Sequence, residues 1–417
     1  MKKQILYLSV LILSIALMTG LSSCKKSSSP TALTLSTLVA GTLDLNGAVA
    51  PTTVPAKPTI VATFSTDIDP LTVTATTVTL VRDYDKAPIT LTLAASGKQI
   101  TITVIDGLAS GALHALTFGS GLKSTEGEIL TLPVTRTFTT VGFFSPSGMV
   151  AYYNFDVNAN DLVGTHNPNA EVAMTYTAGR KALAGNAATF NGTTSIIEIP
   201  NGDQLMNTQN FTLSFWVKAV PSDPAKGFFV MGLGAYYGFQ FEIATDISSC
   251  KLAAQYDLGG GKSGSEDLWF PGDGKTKDNG GWQGWTFCKD LTGSGGVAGL
   301  LSNKWAQVIC TYAASTKLAT MYINGEKMKQ FDFNLWPAGD AKLGVTGLKW
   351  GGVAPDVYND LALGFVQSRR GTMWAAEPWG GYAQAGANHF KGQLDDIRIF
   401  NKAVTPAEVT LMYNSEK

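Results

Sequence analysis

Between Thr31 and Thr140, apolar and polar residues alternate in short bursts: Thr59 to Phe64, Thr76 to Val81, Ile89 to Leu93 and Gln99 to Val104, each closed by turn-forming residues. Successive side chains of a strand point to opposite faces, so a period of two predicts half-buried β-strands. Their spacing predicts a β-sandwich of roughly 100 residues. Val141 to Gly148, with Pro146 and two glycines, reads as a linker. A second series of strand patterns follows from Met149 to Lys417: Met149 to Asp156, Ala188 to Pro200, Phe211 to Lys218, Lys304 to Tyr312, Ala319 to Glu326 and Phe390 to Phe400. In Phe211 to Lys218 the alternation sets Phe211, Leu213, Phe215 and Val217 on one face and Trp216 on the other. Asn324-Gly325 is a hairpin signal. The chain is expected to be all-β, apart from a short helix after Thr405.

The first 24 residues carry a different pattern. Met1, Lys2 and Lys3 make a basic start, Gln4 to Thr19 is an uncharged apolar run, and Leu21-Ser22-Ser23 leads into Cys24. The run is too short for a comfortable membrane span of ~20 residues and reads as a secretory signal, residues 1–23. Lys25 to Pro30 reads as a polar tether, residues 24–30 including the cysteine. Composition agrees with sandwiches: 45 glycines stand among 417 residues. Loss of Lys2 and Lys3 leaves 29 basic against 32 acidic residues, a formal charge of −3. No basic patch interleaved with aromatics occurs, so nucleic acid is not an expected partner. Cys250 and Cys288 flank a glycine-rich segment, and in an exported protein a disulfide between them is expected to stabilise that loop by on the order of 4 kcal/mol. Cys310, in an apolar run, is expected to be a buried free thiol.

Leu21-Ser22-Ser23-Cys24 resembles the lipobox of bacterial lipoproteins, which implies that Cys24 is acylated and holds the protein at a membrane. Pro58 to Pro70, together with Leu113 to Phe118, Gly121 to Gly127 and Thr135 to Thr140, resembles bacterial Ig-like domains of the Big_5 (SbsA) type. That likeness implies a spacer over residues 31–140 with no catalytic residues. The second series, closing on Gly392-Gln393-Leu394-Asp395-Asp396-Ile397-Arg398-Ile399-Phe400 and Asn401 to Thr405, resembles the LamG-type concanavalin A-like jelly roll over residues 149–417. It implies two antiparallel sheets with one concave face, and carbohydrate or protein partners. The architecture is similar to surface lipoproteins of polysaccharide-degrading Bacteroidota. The implied location is the outer membrane, at the cell surface rather than the periplasmic face, although Lys25 and Lys26 stand where exported lipoproteins often carry acids.

The chain departs from the LamG pattern in two expected insertions, Asp257 to Asn303 and Asp332 to His389, which hold seven of the nine tryptophans. An indole can stack on the C–H face of a sugar. The candidate ligand-binding residues are therefore Trp269, Trp282, Trp285, Trp374, Trp379 and Tyr382, with Arg369 and Glu377 as polar partners. The same rings could instead form a satellite cluster that packs loops onto the sandwich. Asp156, Asp161 and Asp395 are candidate calcium ligands, since hard cations need several oxygens and LamG relatives often hold calcium; the acids could equally cap turns and pair with Arg180 or Arg398. No two carboxylates share a strand in the pattern a glycosidase on this fold needs. Glu266-Asp267 and Asp395-Asp396 are adjacent, which in a regular strand sends them to opposite faces. His114, His166 and His389 lie in different segments, and His389 is expected at the surface. The expected function is non-catalytic glycan binding, with an adhesive protein-binding role or a divergent glycoside hydrolase as alternatives.

Overall fold

The computed structural model describes residues 31–206, 208–221 and 225–417, so the signal, Cys24 and the tether lie outside the described residues. The chain divides after Val141 into two compact units. In the first, the order of one sheet is Leu43–Asp44, Leu35–Ala40, Thr59–Phe64, Gln99–Val104 and Leu91–Ser96; the other runs Val78–Arg82, Leu113–Phe118 and Val134–Thr139. The period of two in the sequence is the burial pattern here: Ile60, Ala62 and Phe64 point inward and meet Ile100, Ile102, Phe118 and Phe138. Phe64 and Phe118 pack edge to face at 5.4 Å, a geometry worth about 1 kcal/mol beyond the area buried.

The second unit is a sandwich of two antiparallel sheets, eight-stranded and nine-stranded among the described residues. The main path of the eight-stranded sheet uses β1 (Ala170–Val172), β2 (Ile196–Ile199), β3 (Phe228–Leu233), β4 (Phe239–Ile243), β5 (Cys250–Gly259), β6 (Lys262–Phe270) and β7 (Leu361–Leu363), in the order β1-β2-β7-β3-β4-β5-β6. Opposite it, the first strand, Met149–Tyr153, and the last, Lys391–Phe400, lie side by side. Between the sheets lies an apolar core that includes Phe211, Phe215, Phe239, Phe241 and Leu394. Phe215 and Phe241 meet across it at 4.9 Å.

Two expected boundaries change. Lys262–Phe270 is a regular strand of the sandwich, Trp285–Cys288 is an edge strand of the other sheet, and Leu361–Leu363 lies between β2 and β3. Much of what the sequence suggests as insertion is therefore sheet. Its alternation is concealed by short strand length and by the glycines that join the strands.

Helix α1 (Pro406–Glu416) starts on a capping box in which Thr405 and Glu408 satisfy each other's backbone N–H, with proline in the first turn. Its last residue closes a buried polar network. Glu416 accepts hydrogen bonds from Trp216 Nε1 at 2.6 Å and Gln307 Nε2 at 3.1 Å, and pairs with Arg398. Arg180 binds Asp395 and Asp396, each at 2.6 Å. The adjacent acids thus turn to the same guanidinium, against expectation. An extra residue on their strand relative to its partner, between Asp395 and Arg398, and a left-handed Asp396 (φ 46°) break the alternation there.

The expected disulfide is not formed: Cys250, Cys288 and Cys310 are free. Cys250 points into the core, its Sγ 3.8 Å from Met321 Sδ, while Cys288 on the edge strand donates to the carbonyl of Pro271 at 3.5 Å. Burial pushes the Cys250 thiol up to about 12.

Candidate functional site

Alternation fixes which side chains of the eight-stranded sheet face away from the core. On β4, Phe239, Phe241 and Ile243 point in, so Gln240 and Glu242 point out. Register then lines up one outward row across four strands: Phe229 opposite Glu242, Glu242 opposite Lys251, and Lys251 opposite Trp269. An aromatic ring stands at each end, with an acid and a base between.

Half of this face is covered. Segment 364–389 lies over β2, β7 and β3, where Phe365, Val366 and Ala387 pack on Ile196, Phe229 and Ala362. Gly232 makes the approach possible: a Cβ there would sit 2.0 Å from the carbonyl oxygen of Val366. Beyond the covering segment, over β4 to β6, the face opens into a cavity of about 450 Å³ that includes Phe229, Tyr236, Gln240, Glu242, Trp374 and Trp379 in its lining. A second cavity of about 250 Å³, lined by Glu242, Ser249, Lys251, Asp267 and Trp269, adjoins it through shared residues.

The walls are indoles held by rings behind them. Trp374 stacks on Phe229 at 6.4 Å and meets Trp379 at 5.0 Å. Trp379 keeps 40% of its surface exposed and Trp269 41%. Trp269 Nε1 donates to Ser249 Oγ at 3.0 Å, which fixes the ring.

The floor is charged. Lys251 Nζ lies 3.2 Å from Glu242 and 2.9 Å from Asp267. Burial raises the pKa of Glu242 and outweighs the pull of Lys251. For Lys251 itself, burial works downward and is outweighed by the two acids, so its pKa is raised. Gln240 donates to Glu242 at 2.8 Å, while its buried Oε1 has no hydrogen-bond partner in this structure.

Of the residues the sequence singles out, Trp269, Trp374 and Trp379 come together at this groove. Trp282 and Trp285 do not. Trp282 packs with Phe331 and Trp336 at 5.1 and 4.2 Å, and Trp285 lies under Lys329, all against the core of the sandwich. Apolar area beside a core is better buried there than held out for a ligand. Tyr382 packs on Phe365 and donates to the carbonyl of Thr194 at 2.6 Å. Arg369 is held by Glu198 at 2.8 Å. Glu377 is exposed in the turn between Trp374 and Trp379. His389 is buried, not at the surface: its ring stacks on Phe365 at 4.5 Å and bonds the carbonyl of Tyr382 at 2.8 Å.

The acids expected to hold calcium are otherwise engaged. Asp161 accepts from the backbone N–H of Tyr152, Val163 and His166, Asp156 from that of Asn186, and Asp395 is paired with Arg180. Among the described residues no three His, Cys, Asp or Glu side chains are grouped to hold a metal ion. Sequence reasoning passed over Phe229, Tyr236, Gln240, Glu242 and Lys251. The strict alternation of Phe239-Gln240-Phe241-Glu242-Ile243 was the available signal.

Two family models match the chain. The model for a bacterial Ig-like domain, Big_5, covers residues 43–140, and Laminin_G_3, of the concanavalin A-like lectin/glucanases superfamily, covers 191–355. The chain joins a bacterial Ig-like domain to a concanavalin A-like domain. Phe229, Gln240, Glu242, Lys251 and Trp269 fall within the Laminin_G_3 match, and Trp374 and Trp379 lie beyond it in the same compact unit. No protein of curated function matches the chain. Similar solved structures include the binding domain of Paraclostridial Mosquitocidal Protein 1 (15% identity, 64% of this chain and 52% of that one, TM-score 0.42) and the receptor binding domain of botulinum neurotoxin type G (13%, 64% and 51%, 0.37). The chain spans about half the length of these two. Domain 4 of AbnA, an extracellular arabinanase of Geobacillus stearothermophilus, solved with arabinotriose, is 18% identical over 63% of this chain and 97% of that one, with a TM-score of 0.34.

Proposed function

We propose that the concanavalin A-like domain is a non-catalytic glycan-binding module, with the Ig-like domain as its spacer and a lipid on Cys24 as its anchor at the outer membrane, facing the cell surface. The observation that carries the reading is the groove. Exposed indoles form its walls and hydrogen-bonding groups its floor, the combination a sugar ring requires, since its C–H face is apolar and its edge is polar. A flat apolar patch would instead suit a protein partner. Titration of the full chain with a panel of plant and microbial oligosaccharides, followed by tryptophan fluorescence and calorimetry, tests this. Binding that is lost in Trp379→Ala supports it; a panel-wide absence of binding overturns it.

One observation favours glycoside hydrolysis as a second reading. Glu242 and Asp267 lie about 6 Å apart at most, on either side of Lys251 Nζ, close to the separation of the two carboxyls in retaining enzymes. Burial raises the pKa of Glu242, as an acid catalyst requires, and the Lys251 ammonium opposes this without outweighing it. Release of reducing ends by the parent chain and its loss in Glu242→Gln would establish the hydrolase.

A further inference from the structure

We infer that the groove takes an internal stretch of a linear, uncharged polysaccharide, laid across the strands from the Trp374–Trp379 wall to Trp269. This rests on the glycan-binding reading above and adds the shape and charge class of the ligand.

Length comes first. Phe229, which backs the Trp374–Trp379 wall, and Trp269 are the two ends of one row over β3, β4, β5 and β6. Neighbouring strands are ~4.8 Å apart, so three steps set the ends about 14 Å from each other. A pyranose in a linear chain advances by roughly one strand spacing, so about three rings lie between one platform and the other. Both cavities share Glu242 and Lys251 and form one trough. A compact branched ligand or a single terminal sugar would reach only one aromatic end.

Charge comes second. The floor sets two carboxylates against one ammonium, and that ammonium already bonds both acids. What remains open to a ligand is mostly acceptor in character: the free lone pairs of Glu242 and Asp267, and the partnerless Oε1 of Gln240, a residue only 5% exposed that stands on the groove side of β4, against the third N–H of the Lys251 ammonium and the second of the Gln240 amide. A buried acceptor without a partner costs free energy until a donor arrives. Hydroxyl groups are such donors. The carboxylates of uronic acids and the sulfates of sulfated glycans are not, and they would meet a net negative floor.

The test is calorimetry on the full chain with neutral cello-, xylo-, manno- and arabino-oligosaccharides of two to six units, alongside oligogalacturonates of the same lengths. Affinity for the neutral series that binds should climb at least tenfold from two to about four units and then level off, with the oligogalacturonates at least tenfold weaker. Trp269→Ala should bring the hexasaccharide down to the affinity of the disaccharide and change disaccharide binding less than twofold. Equal affinity for all lengths, an equal loss at every length in Trp269→Ala, or stronger binding of the oligogalacturonates would overturn the inference while leaving glycan binding intact. No binding by any oligosaccharide overturns the glycan reading itself, and binding that stays within twofold of the parent in Trp379→Ala overturns the placement of the ligand in this groove.

Discussion

Replacing Trp379 by alanine removes the more exposed ring of the Trp374–Trp379 wall. A tryptophan side chain can bury up to ~250 Å², and Trp379 leaves 40% of its surface exposed, so about 100 Å² is available to a sugar face. At ~25 cal/mol per Å², covering half to all of it contributes about 1 to 2.5 kcal/mol, a ~5- to 70-fold loss of affinity in the variant. The cost in stability is at least of the same size. The ring meets Trp374 at 5.0 Å and Phe229 at 6.2 Å, and losing such pairs costs about 1 kcal/mol each. Calorimetry with an oligosaccharide that binds the parent reads the first effect, and urea unfolding reads the second. A variant that stays folded under the binding conditions and still binds within twofold would refute the placement of the ligand at this wall.

Three other outcomes follow from the structure. Glu416 is fully buried and pairs with Arg398 while accepting from Trp216 and Gln307; Glu416→Ala leaves the buried guanidinium with Asp396 alone, at 3.4 Å, and the indole and amide N–H groups without their acceptor, and should cost about 3 kcal/mol, read as a drop of the order of 10 °C in the melting of the second unit, with Glu416→Gln intermediate. The full chain carrying Cys24→Ser, purified under air, should titrate three thiols in denaturant, because Cys250 and Cys288 are unbonded; a single thiol would mean that the pair had closed. Burial lowers the pKa of His114 and of His389, so both fold neutral and the unfolded chain takes up protons first: stability is intact above the ordinary value of 6.5 and falls as the pH drops below it. Between pH 7.5 and pH 5 the urea midpoint of the second unit should therefore move less favourably in the parent than in His389→Gln, read as the difference between the two.

Wherever the period of two runs long, the fold can be read from the sequence. Phe211 to Lys218 and Phe239 to Ile243 declare their faces because each inward residue is apolar and the sheet spans one core. Trp282 and Trp285 were not legible, because Gly-Trp-Gln-Gly-Trp looks the same whether its rings meet a sugar or meet Phe331 and Trp336. Only position relative to the core decides, and that depends on strand order. Asp395 and Asp396 failed for a local reason: a bulge cancels the alternation on which a face assignment rests.

The groove arises from incomplete cover. Were segment 364–389 to extend over β4 to β6 as it does over β2, β7 and β3, Gln240 and Glu242 would be sealed under apolar side chains, and Lys251 with them. An unpartnered amide oxygen and an excess carboxylate in such a place cost more than the added contacts return. The polar outward row of β4 to β6 is thus incompatible with a closed face, whereas Ile196, Ala362 and Phe229 on the other half require one. The same covering segment carries Trp374 and Trp379 at its free margin. What ends the apolar cover therefore also supplies the aromatic wall, and this ties the position of the site to the point where the sheet's outward residues turn from apolar to polar.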